Sequence, residues 1–116
     1  MVYRYLVTQP HLNAHGTLHG GILMKWVDEV CGMEARLKTL SVCATRHIES
    51  VDFLATARLG DIVEISVNEK SVGKTSITYD AIVRNAMGGL IAKFEKIVFV
   101  AIDNYHQPVV IERENN

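Results

Sequence analysis

The chain has 116 residues, with 12 basic and 13 acidic side chains and a formal net charge of −1. That is the size of one domain, 1–116, able to bury a core. With no basic cluster and no run of about 18 apolar residues, neither a nucleic-acid partner nor a membrane one is expected.

Two cysteines, Cys31 and Cys43, form no Cys-x-x-Cys pair. Neither a disulfide scaffold nor a zinc site is therefore expected. The first residues, Met-Val-Tyr-Arg-Tyr, lack a signal-peptide pattern. A reducing, cytoplasmic setting follows as the expectation.

In chain order, Met1 to Val7 alternates and predicts a first strand, ended by Pro10, since the residue before a proline is pushed out of regular pairing geometry. A polar loop, Pro10 to Gly20, follows. From Gly21 to about Leu40 the apolar residues Ile22, Leu23, Trp26, Val27, Val30, Cys31, Met33, Leu37 and Leu40 cover most of a helical circumference. Lys25, Glu29 and Arg36 leave only a narrow polar stripe, which predicts a buried helix.

Everything after that helix reads as strand. Val42 to Ala55 alternates. Arg58-Leu-Gly-Asp61 makes a turn before a strand opening on Ile62, Val63, Ile65 and Val67. Val72-Gly73-Lys74 is a second turn, and Thr75 to Val83 the next strand. Asn85-Ala-Met-Gly-Gly89 is the strongest hairpin signal, with a long strand from Leu90 to Ile102 behind it. The tail from Asp103 is expected to be loose after Val110, including Glu112 to Asn116. Short turns predict antiparallel neighbours. The class is therefore α+β, one helix against one face of five strands, with an edge strand that a second copy would cover.

The polar loop carries the candidate chemistry. Gly16, Gly20 and Gly21 let a ligand approach the backbone, and the start of the helix offers unpaired N–H groups suited to an anion or a developing oxyanion. Asp28, two turns further in, stands beside Trp26, Val27 and Val30 rather than in a wet segment. Plainer roles exist for each residue. Asp28 could pair with a lysine or reach the surface, and Asn13 could make an Asx-turn. His11, His15 and His19 have the spacing of metal ligands on a helix, but Gly16 and Gly20 argue against a helix there, so no metal is expected. Cys31 is read as core, and His47 as a hydrogen-bonded sheet residue.

The stretch Asn13-Ala-His-Gly-Thr-Leu-His-Gly-Gly-Ile-Leu-Met-Lys-Trp-Val-Asp28 resembles the signature of hotdog-fold acyl-CoA thioesterases, specifically the cytosolic long-chain acyl-CoA hydrolase and YciA-like group. The likeness continues through Val51-Asp-Phe-Leu54, Arg58-Leu-Gly-Asp-Ile-Val63 and Val72-Gly-Lys-Thr-Ser76. His19 stands where the family often has an aromatic residue.

The resemblance implies a hotdog fold, a five-stranded antiparallel sheet wrapped around one long central helix. It implies hydrolysis of acyl-CoA to free fatty acid and coenzyme A, which enters as part of the substrate; no separate cofactor is implied. Asp28 would be base or nucleophile, and the Asn13 amide would orient water or carbonyl. His19, Gly20 and Gly21 would lie at the thioester. Arg58 and the segment Gly73, Lys74, Thr75 and Ser76 would meet the phosphates or nucleotide of coenzyme A, although a surface turn and a solvated lysine explain the same residues without a ligand. An (R)-specific enoyl-CoA hydratase-like lyase on the same fold and a non-catalytic acyl-CoA sensor are the alternatives.

Gly21 and Asp28 lie about 10 Å apart along one helix. A single reacting carbonyl needs its attacking group and its oxyanion donors within roughly 3 Å. An active site shared across a homodimer is therefore expected, with tetramer or hexamer as further assembly.

Overall fold

The structure, a computed structural model, describes residues 1–112. Its elements are β1 (Val2–Leu6), a 3₁₀ turn (Gln9–His11), α1 (Gly20–Thr39), β2 (Val42–Phe53), β3 (Ile62–Val72), β4 (Ser76–Asn85) and β5 (Leu90–Ile102). The strands form one antiparallel sheet in the order β1-β3-β4-β5-β2.

Short turns do give neighbours for β3, β4 and β5. At the last hairpin Asn85 N–H donates to Gly89 O at 2.9 Å. The expectation fails for β2 and β3, which are not adjacent. The chain between them is anchored as it crosses: the N–H groups of Leu54 and Ala55 both donate to Ile91 O, and Ala57 is fully buried. That anchoring leaves β2 at the far edge, paired only with β5, while β1 closes the other edge on β3.

α1 lies on one face of this sheet. Leu23, Val27, Val30, Cys31 and Ala35 are buried against inward-facing Val63, Ile65, Ile77, Val83, Phe94 and Phe99. Residues three and four apart share a helix face, so this set makes a continuous stripe. Gly32 allows the close approach, since a Cβ there would come within 3.4 Å of the Phe99 ring.

The helix is less enclosed than its composition predicts. Met33 is 47% and Leu37 68% exposed, beside Lys25, Glu29 and Arg36. An apolar stripe on its outer side has nothing over it in a single chain. No helix among the described residues is long and apolar enough to cross a membrane.

The tail also departs from expectation. Val109 N–H donates to Ala101 O and Ile111 N–H to Lys74 O, and Ile111 is 6% exposed. A single apolar side chain one residue past Val110 is enough to tie it down. Residues 113–116 lie outside the described residues.

Candidate active site

The loop before α1 folds on itself as a small antiparallel ladder. His19 N–H donates to His11 O at 2.9 Å, Asn13 N–H donates to Thr17 O at 2.8 Å, and Leu12 bridges Leu18 between them. Leu18 N–H then bonds Ala57 O at 2.8 Å, and Thr17 bridges Arg58, so the ladder rests on the segment leading to β3.

Asn13 takes the Asx geometry. Its Oδ1 accepts from the N–H groups of His15 (2.9 Å) and Thr17 (3.1 Å) and lies 3.2 Å from the Thr17 hydroxyl. Nδ2 donates to Thr17 Oγ1 at 3.0 Å. The amide oxygen is thus committed to the loop. One N–H of the carboxamide has no partner among the described residues, and that donor is what Asn13 can offer a ligand.

His19 is the N-cap of α1, and its Nδ1 accepts the Gly21 N–H at 2.9 Å. A Cβ on Gly21 would stand 2.9 Å from the imidazole, so glycine suits the capped arrangement. The cap removes Gly21 from the set of free donors. The N–H groups of Gly20 and Ile22 have no partner among the described residues, and they carry the positive end of the helix dipole. Phe53, at the end of β2, covers Gly20 from the side with its ring carbons about 3.7 Å from a Cβ built there.

Asp28 faces β2. Thr45 Oγ1 donates to its Oδ1 at 2.5 Å, a short charge-assisted bond. The carboxylate is half-buried rather than enclosed, and it has no lysine partner: Lys25 pairs with Glu29 at 3.9 Å. Thr45 belongs to the alternating stretch Val42 to Ala55, and nothing in the sequence singles it out. The signal that could have found it is that alternation, which faces it toward the helix, but the register along α1 is set by tertiary packing.

The other expected ligand contacts do not converge. Arg58 lies next to the loop at the N-terminal end of α1, where its N–H donates to Asp61 Oδ2 at 2.8 Å. Gly73, Lys74, Thr75 and Ser76 form the β3–β4 turn, where Gly73 N–H bonds Ser76 O at 2.7 Å. The strand β3 between them, 11 residues long, separates the two groups by roughly 30 Å. Two open clefts, of about 780 and 350 Å³, both lie near the C-terminal end of α1, around Leu37, Lys38 and Glu69, and away from Asp28.

Two other candidates settle into structure. Burial, with smaller contributions from Asp28, Glu34 and Asp80, pushes the Cys31 thiol up to about 12, so it is no nucleophile near neutrality. His47 Nε2 bonds Glu49 Oε2 at 2.8 Å on the exposed edge. Among the described residues no group of three or more His, Cys, Asp or Glu could hold a metal ion.

Free N–H groups at a helix start and a hydrogen-bonded carboxylate are the two kinds of group that acyl transfer to water needs, but within one chain α1 holds them about 12 Å apart. Comparison with known proteins agrees. A candidate esterase of Deinococcus radiodurans is 34% identical over 83 residues, which cover 72% of this chain and 55% of that protein. The chain thus spans little more than half the length of that relative. An uncharacterized acyl-CoA thioester hydrolase of Zymomonas mobilis is 28% identical over 116 residues, 97% of this chain and 78% of the relative. A crystal structure of a hexameric broad-specificity acyl-coenzyme A thioesterase, in an aspartate-to-alanine variant, superposes with a TM-score of 0.90 at 26% identity, covering 98% of this chain and 87% of that one. Residues 15–92, from the loop to the third residue of β5, match the family model described as the thioesterase superfamily, and the chain belongs to that family.

Proposed function

We propose that the protein hydrolyses acyl-CoA thioesters to a free acid and coenzyme A, at sites built jointly by two copies of the chain. The observation that carries this reading is the placement of Asp28. It is hydrogen-bonded, half-open and turned toward β2, yet about 12 Å along α1 from the donors at Gly20. An antiparallel partner helix brings the glycine end of one chain opposite Asp28 of the other. The edge strand β2 and the uncovered stripe of Met33 and Leu37 give such a partner a surface to occupy.

In this reading Asp28 takes a proton from water as the water oxygen attacks the thioester carbon. Thr45 holds the carboxylate in place by the oxygen that does not take the proton. The oxyanion sits on the Gly20 N–H, joined by Gly21 if the His19 ring yields its hydrogen bond, and the free N–H of Asn13 orients carbonyl or water. Collapse breaks the C–S bond, coenzyme A leaves as the thiolate, and the proton held by Asp28 passes to it, which restores the carboxylate. No metal or redox cofactor enters any of these steps.

Arg58 of one chain and the Gly73–Ser76 turn of another, remote within a chain, are proposed to reach the phosphates or nucleotide of one coenzyme A. A dimer is the smallest unit with a complete site, and the hexameric relative supports assembly beyond it. The two free thiols suit a cytoplasmic setting.

The test is thiol release across acyl-CoA lengths. Asp28→Asn is expected to lower kcat by about 10²- to 10⁴-fold while the fold survives. Binding of acyl-CoA without thiol release by the wild type would instead make the protein a sensor. Hydration of an enoyl-CoA with the thioester intact would make it a lyase.

A further inference from the structure

We propose that His11 is the positioning residue for both the Asn13 loop and the glycine end of α1, a role that rests on the hydrolase reading of that site. Three groups of this one residue hold three separate parts of the chain. Its Nδ1 accepts the Thr8 N–H at 2.9 Å and lies 3.1 Å from the Thr8 hydroxyl, closing the 3₁₀ turn with the geometry of a capping box. Its ring meets Trp26 edge-on, with centroids 4.8 Å apart and planes at 82°. Its carbonyl accepts the His19 N–H at 2.9 Å.

These contacts link the loop before α1 to the sheet and the helix. Trp26 is itself stacked on Tyr5 of β1, centroids 4.6 Å apart and planes within 9°, so the His11 ring rests on a rigid aromatic pile rather than on solvent. His19 caps α1, so the carbonyl bond sets where the capping imidazole and the Gly20 donor stand. Asn13 is two residues on, at the next rung of the same ladder. Because Nδ1 is an acceptor, the neutral ring carries its proton on Nε2. A shift of the ring displaces Asn13 and Gly20 together, whereas neither Asp28 nor Thr45 depends on it.

Two substitutions separate the contacts. His11→Phe keeps an aromatic ring for Trp26 but loses the acceptor for Thr8. His11→Gln keeps an acceptor of the capping-box type and loses the ring. If His11 positions the loop, each variant lowers kcat about tenfold with KM within about twofold, because transition-state donors move while the remote Gly73–Ser76 contacts to coenzyme A do not. Amide hydrogen exchange at Thr17 and His19 rises at least tenfold in both, and exchange at Val30 in the core is unchanged.

Wild-type kcat in both variants, or equal acceleration of exchange at Val30 and at the loop, overturns the proposal. Exchange is read independently of turnover. If the wild type releases no thiol, the hydrolase reading falls, and the contrast between loop and core amides alone decides whether His11 holds the loop.

Discussion

In the proposed reaction Asp28 is held by one side-chain hydrogen bond, from Thr45. A hydrogen bond to a charged group is worth about 1.5–3 kcal/mol, so losing it should be visible in rate. Thr45→Val keeps the shape and removes the hydroxyl; kcat is expected to fall about 10- to 100-fold in a thiol-release assay, with a stability loss of no more than about 3 kcal/mol. Thr45→Ser should retain most of the rate.

Cys31 makes a different residue-scale prediction. Its thiol is held protonated by burial, whereas Cys43 is only half-buried and lies 3.3 Å from the Thr39 hydroxyl. Iodoacetamide should modify Cys43 in the folded protein, and Cys31 only on unfolding, as peptide mapping would show. The same shift has a pH sign. The Cys31 pKa is higher folded than unfolded, so its contribution is intact below the unfolded value near 9.0 and is lost as pH rises toward about 12. Tyr79, Tyr3 and Tyr5 are raised as well, in each case chiefly by burial. Stability measured by denaturant unfolding should therefore fall above pH 9, by about 1.4 kcal/mol per unit for Cys31 and Tyr79 while each is ionised only in the unfolded chain, and by much less for Tyr3 and Tyr5, which solvent screens. A flat alkaline limb would contradict the burial of these side chains.

Among the elements, α1 shows both what a sequence reveals and what it hides. Its start was legible because a glycine pair meeting an apolar repeat is a local signal, and Asp28 was legible because its neighbours along the helix are apolar. The capping hydrogen bond of His19 was not, since it depends on the rotamer of one ring. Thr45 was hidden for a longer-range reason: it reaches Asp28 across 17 positions, through a register that pairing of β2 with β5 establishes. The strand order was hidden likewise, because nothing in residues 54–61 announces that they pass β5 and β4 to start β3 beside β1. The helix also ends poorly. Leu40 caps it in the left-handed region at φ 57° and is 86% exposed, a conformation that costs a side chain about 1 kcal/mol or more. Leu40→Gly should raise the thermal midpoint by a few degrees, which calorimetry would detect.

For the whole molecule the decisive question is how copies combine. When Asp28→Ala and Asn13→Ala proteins are mixed and reassociated, half of the dimers are hybrids, and each hybrid has one site with both residues intact. Activity should recover to about a quarter of wild type if exchange is complete. Mixed chains as inactive as the parents would place the acid and the loop in the same copy. The unpaired edge of β2 fits this division of labour. It is one of two edges of the sheet, it runs for 12 residues, and it carries Arg46, His47 and Glu49 along a line that a monomer would leave open.

Trp26 is the only tryptophan of the chain, and it stands against Tyr5 on one side and the imidazole of His11 on another. The chain thereby carries a single intrinsic fluorophore where the sheet meets the loop before α1. Its emission can be followed in unmodified protein while ligand is titrated in, so the arrival of a substrate and the settling of the loop can be timed separately from the bond that is cut.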